Sequence, residues 1–263
     1  MVHFCINCNK KVTATNLFLY TERRLCVYFK KILIFLPVLF CVAAHAQVID
    51  NTTTFRTINS DKYRSFHYDN DFFGNADYYY TQGINAEYVH PKLKALPFTF
   101  LLIKPYNSNL KYGIGVDLYG YTPTSIRADS ILHFNRPYAG VISAKQFLIA
   151  VDTIYHRKIV SSFTIGVIGP AALGNEIQTT IHRTLGKQLP NGWKYQVKND
   201  LIINYTAAYE KRLAQWKNNF LLNAKGEVRA GTINTKANTA LNFMAGHFKD
   251  PYQSSSYQLL HKK

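Results

Sequence analysis

Cysteine is scarce: the 263 residues contain 4, at Cys5, Cys8, Cys26 and Cys41, and none follows. The chain beyond residue 41 therefore has no disulfides and no thiol to serve as nucleophile or metal ligand. Cys5-x-x-Cys8 has half the spacing of a zinc site, but no second half exists. Acid is also scarce, with 15 Asp and Glu against 31 Lys and Arg, a formal charge of +16. Such a surplus suggests an anionic partner. No basic helix or nucleic-acid motif is present, which argues against DNA or RNA. A G-x-S-x-G elbow is missing too, which disfavours a serine nucleophile.

Long apolar runs are lacking. Ile32 to Ala44 is one of about 13 residues, too short to span a bilayer comfortably. Lys30-Lys31 precede it and Ala44-His45-Ala46 close it, the pattern of a secretory signal peptide cleaved before Gln47. Cys41 is no lipidation site, because Phe40 is bulky where a small residue would be needed. Residues before Tyr28 read as an upstream extension. Residues 1–46 are thus expected to be extension plus signal peptide, and residues 47–263 the mature domain. The leader holds 6 of the 31 cations and 1 of the 15 acids, so the mature chain keeps a surplus of 11 positive charges. For an exported protein, anionic lipid or lipopolysaccharide phosphate fits that surplus better than nucleic acid.

What is abundant is alternation. Tyr112, Ile114, Val116 and Leu118 oppose Gly113, Gly115, Asp117 and Tyr119. Phe163, Ile165 and Val167 oppose Ser162, Thr164 and Gly166, and Ile84, Ala86 and Tyr88 oppose Gly83, Asn85 and Glu87. A period of two with one apolar and one polar or small face means strands. Eight are expected: Tyr63–Phe72, Tyr80–Val89, Leu110–Tyr121, Tyr138–Val151, Lys158–Ile168, Leu201–Leu213, Asn218–Ala230 and Ala237–Phe248. Pro91 to Asn109, apolar and holding three prolines, fits neither strand nor helix. Sandwiches and membrane barrels both alternate. Export, strands of roughly ten residues or more where about five to six is usual, and tyrosines near strand ends (Tyr79, Tyr80, Tyr119, Tyr121, Tyr138) favour a barrel with an aromatic girdle. The expected fold is an all-β, antiparallel up-and-down transmembrane β-barrel.

One stretch breaks the pattern. From Gly169 to Gly186, Ile177, Ile181 and Leu185 form an apolar helical stripe, with Gln178 and His182 an adjoining polar one. Pro170 is expected to open this helix and Gly186 to close it. In an up-and-down barrel it shares a rim with Asp69-Asn70-Asp71, Tyr80-Thr81-Gln82-Gly83 and Asn135-Arg136-Pro137-Tyr138, since all lie in odd-to-even connections. From a periplasmic N-terminus that rim is extracellular. A His near carboxylates is suited to general-base work. Asp69, Asp71, Asp77 and Glu176 offer oxygen ligands for Ca²⁺, and Thr81 and Asn70 could donate to an oxyanion or hold water. Water activated by His with metal assistance is the simplest scheme. Ordinary turn and strand roles for these residues are the competing reading.

At these residues the sequence resembles the outer-membrane lipid A 3′-O-deacylases of the LpxR type. The matching pieces are Asp69-Asn70-Asp71-Phe72-Phe73, Asp77-Tyr78-Tyr79-Tyr80-Thr81-Gln82-Gly83, Arg136-Pro137-Tyr138-Ala139-Gly140, Ile168-Gly169-Pro170, Gly174 to His182, and Gly192-Trp193 with Gln196. The resemblance implies a twelve-stranded monomeric barrel in the outer membrane of a Gram-negative bacterium, among outer-membrane lipids. It also implies removal of the 3′-acyloxyacyl group of lipid A. His182, Asn70, Asp71, Thr81 and Gln178 would be catalytic, with a divalent cation, expected to be Ca²⁺, held by Asp71 and Glu176. Asn135 stands where the family has Asp. Eight strands against twelve raises the expectation of a C-terminally truncated chain, a smaller closed barrel, or strands supplied from elsewhere. The alternatives to a deacylase are a porin-like or degenerate barrel without activity, and a secreted soluble sandwich.

Overall fold

The computed structural model describes residues 60–70, 79–248 and 250–252. The chain divides into units Met1–Gln47 and Val48–Lys263, and every described residue falls in the second. The extension, the signal peptide, Asp71 and Asp77 lie outside the described residues.

Eight strands form one antiparallel sheet in sequence order: β1 Tyr63–Asn70, β2 Gln82–Val89, β3 Asn109–Tyr121, β4 Ala139–Asp152, β5 Arg157–Ile168, β6 Asp200–Trp216, β7 Phe220–Gly231 and β8 Lys236–Ala245. All eight expected strands are present, with ends shifted by a few residues. Among the described residues β1 and β8 are the edges. The sole α-helix described, α1, is Gly174–Thr184 in the β5–β6 connection. Among the described residues no helix is long and apolar enough to cross a membrane. The β4–β5 and β6–β7 connections are tight turns on one rim, which also carries the long β2–β3 connection, while β3–β4 and the α1 connection are long on the other.

The two faces of the sheet decide between sandwich and barrel. Phe66, Val116 and Ile165 lie along one register row and are 68%, 49% and 43% exposed. On the opposite face, Asn85, Glu87 and Asp117 are 0%, 6% and 6% exposed. Apolar side chains outside and polar ones buried is the reverse of a soluble sheet, whose stability comes from burying its greasy face. A wall of this kind is stable only in hydrocarbon. This is a membrane barrel wall, with β3's Gly113-Gly115-Asp117 side facing in and its Ile114-Val116-Leu118 side facing out.

The inward face is held by charge. Lys145 Nζ lies 3.1 Å from Glu87 and 3.4 Å from Asp117, and Asn85 Nδ2 donates to the same Asp117 carboxylate. Glu210 meets Lys158 at 3.5 Å and accepts from Asn223 Nδ2 at 3.0 Å. Removing one partner leaves the others buried and without their counter-charge. Lys145→Met is therefore expected to destabilise the folded wall by about 3–5 kcal/mol, read as a lowered urea midpoint in detergent. The double change Lys145→Met with Glu87→Gln should recover part of that loss.

The girdle expectation needs correction. Tyr119 and Tyr121 occupy inward positions and pack with Tyr80 at ring separations of 6.4 and 5.8 Å, and Tyr138 is buried. Tyr80, Tyr119 and Tyr121 fill the rim from within, because the strand parity of residues 119 and 121 matches that of Asp117, whereas Tyr138 packs against Trp193 on the α1 side. On the outer wall, Tyr68, Tyr88 and Tyr209 are exposed.

Residues 91–101, unassignable by periodicity, form two 3₁₀ turns, Pro91–Ala95 and Pro97–Leu101. Each begins on proline, whose fixed φ suits a first helical position. The segment folds across the outer wall, where Gln146 Nε2 donates to Thr99 Oγ1, Ile103 N donates to Ser161 Oγ at 2.9 Å and Tyr205 Oη donates to the Leu101 carbonyl at 2.8 Å.

Candidate active site

The helix does not begin where proline suggests. Pro170 opens a single 3₁₀ turn, Pro170–Ala172, after which Leu173 turns left-handed (φ 57°) and α1 starts at Gly174. Its end is as expected: Gly186, at φ +63°, closes a Schellman motif in which Lys187 N donates to the His182 carbonyl at 2.8 Å and Gly186 N to that of Arg183 at 3.3 Å. The chain reverses there, and the Gln188 carbonyl returns to within 2.6 Å of His182 Nδ1. A carbonyl only accepts, so Nδ1 carries the proton and Nε2 is the basic nitrogen. Tautomer selection is thus built into the C-cap.

The buried face of α1 is the polar stripe and not the apolar one. Gly174, Gln178 and His182 are its buried residues, while Leu185 is half exposed. Outside a barrel, apolar side chains meet lipid without penalty, so the polar stripe takes the protein side. Glu176 is exposed, on the flank of α1 away from Gln178 and His182, so the structure does not bring it to the histidine.

Two glycines seat the helix on the outer wall. A Cβ on Gly174 would lie 2.9 Å from Gly140 Cα in β4 and 2.6 Å from the Trp193 ring, so neither position tolerates a side chain without separation of the surfaces. Gly169 N donates to the Gly140 carbonyl at 2.9 Å, fixing the approach. Trp193, 3% exposed, wedges between α1 and Tyr138 (ring separation 4.9 Å) and donates Nε1–H to Gln178 Oε1 at 2.7 Å. Gln178 Nε2 is buried with no hydrogen-bond partner among the described residues. A buried amide N–H without an acceptor costs about 1–3 kcal/mol, and such a donor is what an incoming carbonyl oxygen would satisfy.

The remaining candidates lie along one register row. Asn70 pairs with Gln82, Gln82 with Gly120, and Gly120 with Gly140, on which Gly174 rests. Asn70 and the helix seat thus share a rim, three strand spacings of about 4.8 Å apart. Thr81 is buried, donates N–H to the Gly120 carbonyl at 2.9 Å, and shares a hydroxyl–hydroxyl hydrogen bond of 2.7 Å with Thr122. Asn70 is described by its backbone only, Asp71 lies outside the described residues, and Asp69 is exposed. Gln82, not among the expected site residues, is 2% exposed with its side chain against Gly120, between Thr81 and the seat. Its place was hidden in the sequence because outward Gln in a barrel strand looks like an exposed residue. Tyr80 has a buried hydroxyl without a partner among the described residues, and burial followed by the Asp69 charge pushes its phenol above the usual range.

Asn135, in place of the family's Asp, has a structural role. Its Oδ1 accepts from Arg136 N at 2.8 Å and its Nδ2 donates to Thr124 Oγ1 at 2.6 Å, closing the β3–β4 loop. Arg136 then lies 4.6 Å over the Tyr121 ring and donates to the Tyr79 carbonyl.

The described residues do not by themselves form a cation site. Among them no three His, Cys, Asp or Glu converge, and Glu176 points elsewhere.

The sequence profile of the family described as outer membrane protein LpxR matches residues 32–261. The chain belongs to the LpxR family. A solved structure, LpxR from Salmonella typhimurium, is similar at 19% identity, over 61% of this chain and 48% of that one, with a TM-score of 0.47. The chain spans about half the length of that protein. No curated protein matches it. LpxR membership and the inverted wall together place the protein in the outer membrane of a Gram-negative bacterium.

In this LpxR-family protein Trp193 positions Gln178. Trp193→Phe keeps the ring against Tyr138 but removes the indole N–H, freeing the amide to rotate. A lowered melting temperature with an unchanged far-UV spectrum is the expected outcome, because the buried Gln178 oxygen loses its donor. An unchanged melting temperature would show that Gln178 needs no such support.

Proposed function

We propose that the protein is a lipid A deacylase that hydrolyses the 3′-acyloxyacyl ester at the outer leaflet, with the helix rim extracellular. Family membership supports the substrate class, and the long connections on the α1 rim support the orientation. The observation that carries the chemistry is the pairing, on one buried helix face, of a His whose Nδ1–H is committed to a carbonyl and a Gln amide donor without an acceptor.

His182 Nε2 takes a proton from water as the water oxygen attacks the ester carbonyl carbon. Gln178 Nε2–H donates to the carbonyl oxygen as it becomes an oxyanion. Collapse breaks the acyl C–O bond, and the imidazolium returns its proton to the departing sugar alkoxide. Products are a carboxylic acid and an alcohol, with one water consumed. Thr81 is assigned to positioning on the neighbouring strand. A divalent cation is part of the proposal, with Asp71 and the Asn70 corner as its ligands; bound there, it would stabilise negative charge on the oxyanion.

Expression of the full chain in cells with hexa-acylated lipid A tests this. Mass spectrometry should show a new species lighter by one acyloxyacyl group, absent with empty vector. An unchanged lipid A profile from a folded, outer-membrane-inserted chain would leave the inactive-barrel alternative.

A further inference from the structure

We propose that the protein carries a second lipid site: a groove on the outer wall that binds one acyl chain of an anionic glycerophospholipid, with the lipid phosphate on Arg64. The groove has a volume of about 710 Å³, within the range of about 300–1,000 Å³ usual for small-molecule sites. Its floor is the lipid-facing side of β2–β5, including Ala86, Ile114 and Ala144, and its roof is Leu96, between the two 3₁₀ turns, with Pro97 and Phe98 of the second. It is separate from the α1 site, since the β2–β3 connection lies on the opposite rim.

Three observations point to this occupant. The roof is fixed in place: Gln146 and Ser161, polar residues on a lipid-facing wall, are buried at 7% and 0% exposure because they bond the roof, at Thr99 and at Ile103 N. Bare in hydrocarbon, those groups would lack partners, so the wall and roof are built as one preformed cleft rather than a chance gap. The roof's outer surface is itself apolar, with Phe100 75% and Ile103 40% exposed, as expected of a segment immersed in lipid. Finally, cations gather at one end. Arg64 lines the groove, stacked 5.7 Å over the Tyr88 ring, and Lys92 and Lys94 are exposed on the roof. Charge on an outer wall belongs at the headgroup level, so the groove runs from hydrocarbon to a cationic mouth, matching a phospholipid's own polarity.

The full chain in mild detergent micelles, titrated with dimyristoylphosphatidylglycerol and examined by native mass spectrometry, tests the site. The wild type should retain one lipid at collision energies that strip the micelle. Ala144→Trp, filling the floor, should lower the retained fraction at least 10-fold. Phe98→Ala, which opens the roof without adding bulk, should do the same, so that failure of one variant to fold does not decide the matter. Arg64→Gln should erase the preference for phosphatidylglycerol over phosphatidylcholine. Leu241→Trp, on the unroofed outer wall of β8, should bind as the wild type does. Equal retention by wild type and both groove variants would overturn the proposal, as would retention of added lipid A with phosphatidylglycerol excluded. His182→Asn should retain the lipid fully, so the test stands apart from the deacylase reading.

Discussion

His182→Ala is expected to reduce lipid A deacylation by about 10²–10⁴-fold, measured by mass spectrometry of lipid A from expressing cells, while the sheet stays folded. The size follows from what the imidazole supplies. Its Nδ1–H is tied to the Gln188 carbonyl at 2.6 Å, so that Nε2 alone is positioned to accept a proton. Alanine removes both the base and that hydrogen bond, and leaving the carbonyl unpaired should cost about 1–3 kcal/mol of local stability. His182→Asn separates the two effects. Its amide reaches the Nδ1 position and can still donate to Gln188, but it cannot take up a proton at neutral pH. The Asn variant should therefore recover the thermal stability of the wild type and none of its rate. Wild-type activity in either variant would remove the imidazole from the chemistry.

Gly140→Val and Gly174→Val should each lower activity by about 10²-fold, although neither residue has a side chain to contribute. The Gly174 position has Gly140 Cα at 2.9 Å and Trp193 at 2.6 Å from where its Cβ would stand. A branched side chain must push α1 off β4 by an ångström or more, and a misplacement of about 1 Å in a catalytic group costs on that order. Displacement also breaks the Trp193–Gln178 hydrogen bond, so Trp193 fluorescence should shift with the loss of rate. Since β4 keeps its ladder partners in β3 and β5, the far-UV spectrum should not change. Gly140→Ala is the graded control, with a smaller displacement and a smaller loss. If Gly174→Val retained full activity, the seat would be packing alone.

Much of this was legible in one dimension because strand alternation is local. Tyr112 to Tyr119 announces a two-faced strand whatever surrounds it, and Gly186 announces a helix end because few other residues tolerate φ +63°. The 3₁₀ turns at residues 91–101 were illegible for the same reason reversed: two prolines and scattered apolar residues have no period, and only Thr99, Ile103 and the Leu101 carbonyl meeting β4–β6 gives them a place. The sequence set Gln178 in the stripe with His182 and offered Glu176 as an oxygen ligand, and the structure buries the first against Trp193 and leaves the second exposed.

By itself the sequence determined the number and span of the described strands, the family, and the helix that carries His182, since these rest on period, composition and short motifs. Which face looks inward, which stripe of α1 is buried, where Trp193 ties Gln178, and the roofed groove at Arg64 were decided only by tertiary structure. The reason is physical. Alternation is symmetric between inside and outside, and only setting the wall in hydrocarbon makes the apolar face the outer one.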